Sequence, residues 1–135
     1  MSTQKKGSCL CGTVRYEIVG NFESFFLCHC EYCRKDTGSA HASNLFSTTA
    51  ELKWISGQSK IAIYNLPSTK HVKSFCSNCG SALPNIQNDG KLLVVPAGSL
   101  DEQIGITPNA HIFFASKANW DQNLENIATI DGPPG

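Results

Sequence analysis

The sequence has no long apolar run, a single methionine and no excess of either charge. No stretch approaches the roughly 18 consecutive apolar residues that span a bilayer, so no membrane partner is expected. The first residues, MSTQKKGSC, carry two lysines but no apolar segment behind them, as a secretory leader would. Eleven basic residues balance eleven acidic ones and form no basic stripe, which argues against a nucleic-acid partner. The expected location is the cytoplasm. In that reducing compartment seven cysteines read as metal ligands or reactive thiols before they read as disulfides.

The 135 residues suit one domain, 1–135, with a tail at 130–135 containing DGPPG. Short strands are predicted throughout. Residues 13–19 alternate, with Val14, Tyr16 and Ile18 on one face. Further strands are expected at 24–28, 41–47, 51–56, 60–66, 82–87, 91–95 and 110–116. Asn88-Asp89-Gly90 marks a hairpin turn, and Pro84 confines its neighbouring strand to a sheet edge. Helix signals are weak: about one turn at 30–37 and irregular helix near 118–127. The class is mainly β, built from small antiparallel sheets.

The cysteines fall into three groups. Cys9 and Cys11 form C-x-C before Gly12, and Cys76 and Cys79 form C-x-x-C before Gly80. In a metal knuckle the residue after the second cysteine often needs positive φ, which glycine supplies at no steric cost. Two such knuckles complete a tetrahedral four-thiolate site, the pattern of a structural zinc. Cys28, Cys30 and Cys33 remain, as C-x-C-x-x-C followed by Arg34. Three thiolates with one vacancy describe a zinc that takes water or substrate. Two alternatives stay open: a closed site completed by His29, His41 or His71, and a metal-free cluster of reactive thiols. If 28–30 is extended, His29 points away from its cysteine neighbours.

Other residues carry less signal. His111 reads as a core or rim residue, and Trp54 and Trp120 as core or groove aromatics. Arg34 and Lys35 either offset the charge of a three-thiolate zinc or are solvated. Seven thiolates against two zinc ions would leave the loaded protein mildly acidic.

The segments GSCLCGTVRYE, CHCEYCRKDTGSA, FCSNCGSAL and HIFFASKANW, in that order, resemble the signature segments of the glutathione-dependent formaldehyde-activating enzyme family. The resemblance runs from about Gly7 to Trp120. It implies the β-tent fold, a structural zinc on Cys9, Cys11, Cys76 and Cys79, and a catalytic-type zinc on Cys28, Cys30 and Cys33. It also implies a carbon–sulfur lyase-type activity on a small thiol such as glutathione and a small aldehyde, formaldehyde. No residue stands out as the general acid for the alkoxide, or as a reader of the γ-glutamyl or glycyl end of glutathione. The rival expectation is a non-catalytic zinc module that binds a protein partner, as proteins of similar fold bind Rab GTPases. An exposed apolar patch and a fully ligated second metal would mark it.

Overall fold

The computed structural model describes residues 3–135. It is mainly β, as expected, with three small sheets. The first contains β1 (Gln4–Ser8), β2 (Arg15–Val19) and β5 (Glu51–Ser56), all antiparallel, with β2 central. In β2 the alternation works as read: Tyr16 and Ile18 are buried, while Arg15 is exposed. β1 went unpredicted because QKKGS is polar and holds a glycine. Its pairing depends on a fit across the β1–β2 hairpin. Gly7 stands opposite Tyr16, and a Cβ there would lie 2.2 Å from the Tyr16 ring.

The second sheet runs β10–β3–β4–β9–β8. Its members are β3 (Ser24–Cys28), β4 (Ala42–Ser47), β8 (Asn85–Gln87), β9 (Leu92–Pro96) and β10 (Ala110–Ile112). β10 pairs parallel to β3, and the other pairs are antiparallel. β8 is an edge strand that starts just after Pro84, as the missing N–H of proline requires. The turn to β9 uses positive φ at Asn88, Asp89 and Gly90. The third sheet is the hairpin of β6 (Ile61–Asn65) and β7 (Val72–Cys76); β7 was not anticipated.

Two expected elements are shorter than read. The strand at 110–116 stops at Ile112, because Phe113 takes a left-handed φ of 52° and opens a 3-10 turn, Phe114–Ser116. The irregular helix expected near 118–127 is limited to a 3-10 turn, Leu124–Asn126. The weak signal at 30–37 is a helix, α1 (Glu31–Thr37), ended by Gly38 in the left-handed region.

The main core joins Val14, Tyr16, Ile18, Phe25, Leu45, Leu83, Leu93 and Val95 with Cys9 and Cys76. A smaller cluster, Cys28, Cys33 and Ala42, packs with Cys30 and Ile112. Thus one cysteine group is anchored in the core through Cys9 and Cys76, with Cys11 exposed, and the other forms a satellite beneath α1. No helix among the described residues is long and apolar enough to cross a membrane. Residues 130–135 are exposed throughout.

Candidate metal centres

Cys9 and Cys11 lie in the turn from β1 to β2, and Cys76 and Cys79 at the end of β7. Both following glycines adopt the expected positive φ, 79° at Gly12 and 80° at Gly80. Each turn closes through the glycine N–H, Gly12 to the Cys9 carbonyl at 3.1 Å and Gly80 to the Cys76 carbonyl at 2.7 Å. The four sulfurs lie within 4.8 Å of one another. Cys9 and Cys11 Sγ are 3.6 Å apart, and Cys11 and Cys76 Sγ are 3.9 Å apart. These spacings are far beyond a disulfide bond of about 2.05 Å. They match the edge of a tetrahedron with metal–sulfur bonds of about 2.3 Å, which is about 3.8 Å. The donor set and its dimensions therefore fit zinc.

The thiols are unequal. Hydrogen bonds from Thr13 and Asn78 lower Cys11 to about 5. Backbone hydrogen bonding near Cys11 lowers Cys79. Burial pushes Cys76 up. The Val14 N–H also donates to Cys9 Sγ at 3.2 Å. The four sulfurs could together hold one metal ion.

The second group is assembled by the β3–α1 junction. Cys28 ends β3, Cys30 is the N-cap of α1, and Cys33 sits in its first turn. The Cys33 N–H donates to Cys30 Sγ at 3.3 Å, so the sulfur acts as the helix cap. The three sulfurs also lie within 4.8 Å of one another. Burial pushes Cys28 and Cys33 up. Burial acts on Cys30 too, but hydrogen bonds from Cys33, Cys28 and Tyr32 outweigh it and hold that thiol low.

Among the described residues no histidine or carboxylate joins this group. His29 is buried but faces the other way: its Nε2 is 2.8 Å from His111 Nδ1, and its Nδ1 is 3.1 Å from Asp121. His41 packs against the same ring. His71 bonds Asp36 instead. His111 is an exposed rim residue, but one tied into this cluster. Trp54 packs edge-on against Tyr16, whereas Trp120 is exposed. Arg34 follows Cys33, and its Nε is buried without a partner.

Cys28 and Cys33 form part of the wall of a cavity of about 590 Å³. Apolar groups dominate it, including Phe46, Leu83, Val94 and Ile112. One polar group was missed in the sequence. Asp36 of α1 accepts from Lys73 Nζ at 2.7 Å, and lies 2.8 Å from His71 Nε2. Ser74, also on the wall, is buried with an unpartnered hydroxyl. The signal was present in HVKS, where His71 and Lys73 alternate on one side of a strand. With β7 unrecognised, it could not be read.

A mainly β scaffold carrying a four-cysteine knuckle pair and a three-cysteine cluster on a cavity defines a narrow class. Residues 4–116 match the family described as glutathione-dependent formaldehyde-activating enzyme. A Halomonas elongata protein whose name places it in that family is 30% identical over 125 residues, covering 85% of this chain and 78% of the relative. A crystal structure of a Rhodobacter sphaeroides protein shares the fold. It has a TM-score of 0.58 at 21% identity and covers 78% of this chain and 98% of that one. The chain belongs to the glutathione-dependent formaldehyde-activating enzyme family.

Proposed function

We propose that this chain is a single-domain, zinc-dependent enzyme of the carbon–sulfur lyase type. It joins a small thiol such as glutathione to a small aldehyde such as formaldehyde, and reverses that addition. In this reading Cys9, Cys11, Cys76 and Cys79 hold a structural zinc. Cys28, Cys30 and Cys33 hold a second zinc with one open position. The observation that carries the reading is the contrast between the two groups. Two members of the first, Cys9 and Cys76, are buried in the main core, while the second contributes Cys28 and Cys33 to the wall of the apolar cavity of about 590 Å³.

A zinc ion bound there would supply Lewis acidity, favouring the thiolate form of a thiol near neutral pH. The protein's part is to bind and orient. The apolar wall offers contact area to the reacting pair, and Asp36, His71 and Lys73 in the lining offer polar contacts. Holding both reactants in one cavity lowers the entropic part of the barrier. The feature favouring a protein-binding module is an exposed apolar group, Phe113, Phe114 and Trp120.

Exchange spectroscopy by NMR tests the enzyme reading. The zinc-loaded protein is expected to accelerate interconversion of free glutathione and its hydroxymethyl adduct above the spontaneous rate. An exchange rate unchanged by the protein, across several thiols and aldehydes, would leave the binding-module reading in its place.

A further inference from the structure

We propose that Asp36 and His71 form a carboxylate–imidazole pair that moves the proton of this reaction, with His71 Nδ1 as the transferring atom. The inference rests on the thiol–aldehyde reading above and supplies the acid–base group that the sequence did not disclose.

The pair is placed by two elements. On α1, Tyr32, Cys33, Asp36 and Thr37 all reach the cavity wall. Their spacing of three and four residues defines one helix face. Asp36 therefore stands three residues, about 4.5 Å of helix rise, from a member of the three-cysteine group. On the other side, β7 and the residue before it supply His71 and Lys73. The Asp36 carboxylate divides its oxygens: Oδ1 takes Lys73 Nζ at 2.7 Å, and Oδ2 faces His71 Nε2 at 2.8 Å. Lys73 Nζ also donates to the Asp36 carbonyl at 3.0 Å, at the C-terminal end of α1.

Lysine alone would dock the helix. The contact to His71 does something different. An ionised carboxylate only accepts, so the proton of a neutral ring is held on Nε2 and Nδ1 is left as an acceptor. Among the described residues the side-chain hydrogen bonds of this ring go to Asp36 alone. Its ring also packs near Tyr32, with centroids 5.9 Å apart. The side chains of Asp36, His71 and Lys73 are 14%, 19% and 23% exposed, so the pair is fixed yet reachable from the cavity. The titratable groups around the ring are Asp36 and Tyr32 from α1 and Lys70 and Lys73 from the strand side, with Cys28 and Cys33 on the same wall. The other histidine cluster, His29, His41 and His111, contributes no residue to this cavity.

The step balances without a further reactant. The thiol S–H bond breaks, and its proton goes to His71 Nδ1. The sulfur lone pair forms the S–C bond while the carbonyl π pair moves to oxygen. The same proton then passes from Nδ1 to that oxygen, giving the hydroxymethyl thioether. The reverse path runs through the same positions.

The test combines two measurements on the full-length zinc-loaded chain. Nitrogen-15 NMR of the wild type is expected to show neutral His71 as the Nε2–H tautomer. Asp36→Asn is expected to disturb that preference. In exchange spectroscopy with glutathione and formaldehyde, His71→Gln should lower the protein-catalysed rate by about a hundredfold. It should also remove the limb of the pH–rate profile that follows the histidine, with zinc content unchanged. If His71→Gln fails to fold or to hold zinc, Asp36→Asn and the tautomer decide. A wild-type Nδ1–H tautomer overturns the inference, as does a wild-type rate and pH profile in the variants. If the wild type gives no acceleration at all, the thiol–aldehyde reading falls and this inference with it. Acceleration that survives in His71→Gln removes only the inference.

Discussion

His29 Nε2 and His111 Nδ1 lie 2.8 Å apart, across the parallel junction of β3 and β10. His29 is 1% exposed, so its ring nitrogens depend on protein partners. Replacing His111 with phenylalanine keeps a ring and removes the partner. The expected cost is about 1–3 kcal/mol, the usual penalty for a buried polar atom left unpaired. Urea unfolding of the zinc-loaded protein measures it. A change below about 0.5 kcal/mol would show that another group satisfies Nε2.

The two cysteine groups are predicted to respond differently to loss of one ligand. Cys76→Ser removes a ligand from the site built into the core. Structural zinc contributes about 10 kcal/mol or more to folding in small zinc domains, comparable with the whole stability of a domain, about 5–15 kcal/mol. This variant should be unfolded or insoluble. Cys30→Ser should remain folded, because serine is itself a favoured N-cap for α1, while its metal content falls from two zinc ions per chain to one. Circular dichroism and elemental analysis separate the outcomes. Equal melting of both variants would contradict the division into structural and functional sites.

The location of these groups was legible because ligand spacing and glycine chemistry are local. Gly12 and Gly80 announce their turns, and the strands at 24–28 and 51–56 fall where alternation and composition put them. What escaped was set by partners rather than by pattern. β1 is polar, and Gly7 leaves room for the Tyr16 ring across the hairpin, a fit that no periodicity in QKKGS announces. β7 is polar at Lys73 and Ser74, and its pairing with β6 places His71 against a helix 35 positions earlier in the chain. No window of sequence contains that contact. The end of the strand at Ile112 is likewise set by the backbone of Phe113, where the side chain still reads as β.

Glu23 provides a pH-dependent prediction. Its carboxylate accepts from the Thr48 hydroxyl at 2.7 Å and the Thr48 N–H at 3.0 Å, with Ser47 and Thr49 also in reach. Those bonds, the Thr48 hydroxyl first, hold its pKa below the ordinary glutamate value. A depressed carboxylate contributes stability above its unfolded pKa, and that contribution is lost as pH falls through the folded value. Glu23→Gln should therefore melt below the wild type at neutral pH. The gap should begin to close as pH falls through the ordinary glutamate range and vanish only below the depressed folded value, where the wild-type carboxylate is protonated as well. Paired thermal melts across that range check the sign. A gap that widens toward acid would contradict it.

The most direct test of the central claim asks whether the three-cysteine site accepts an outside thiol. With cobalt in place of zinc, the absorption of a tetrahedral thiolate site reports its ligands. Adding glutathione should change the spectrum of the Cys28, Cys30 and Cys33 site, with a pH dependence set by loss of the thiol proton. The change should vanish in Cys30→Ser. A spectrum unmoved by saturating thiol would contradict the open site and make the cluster structural.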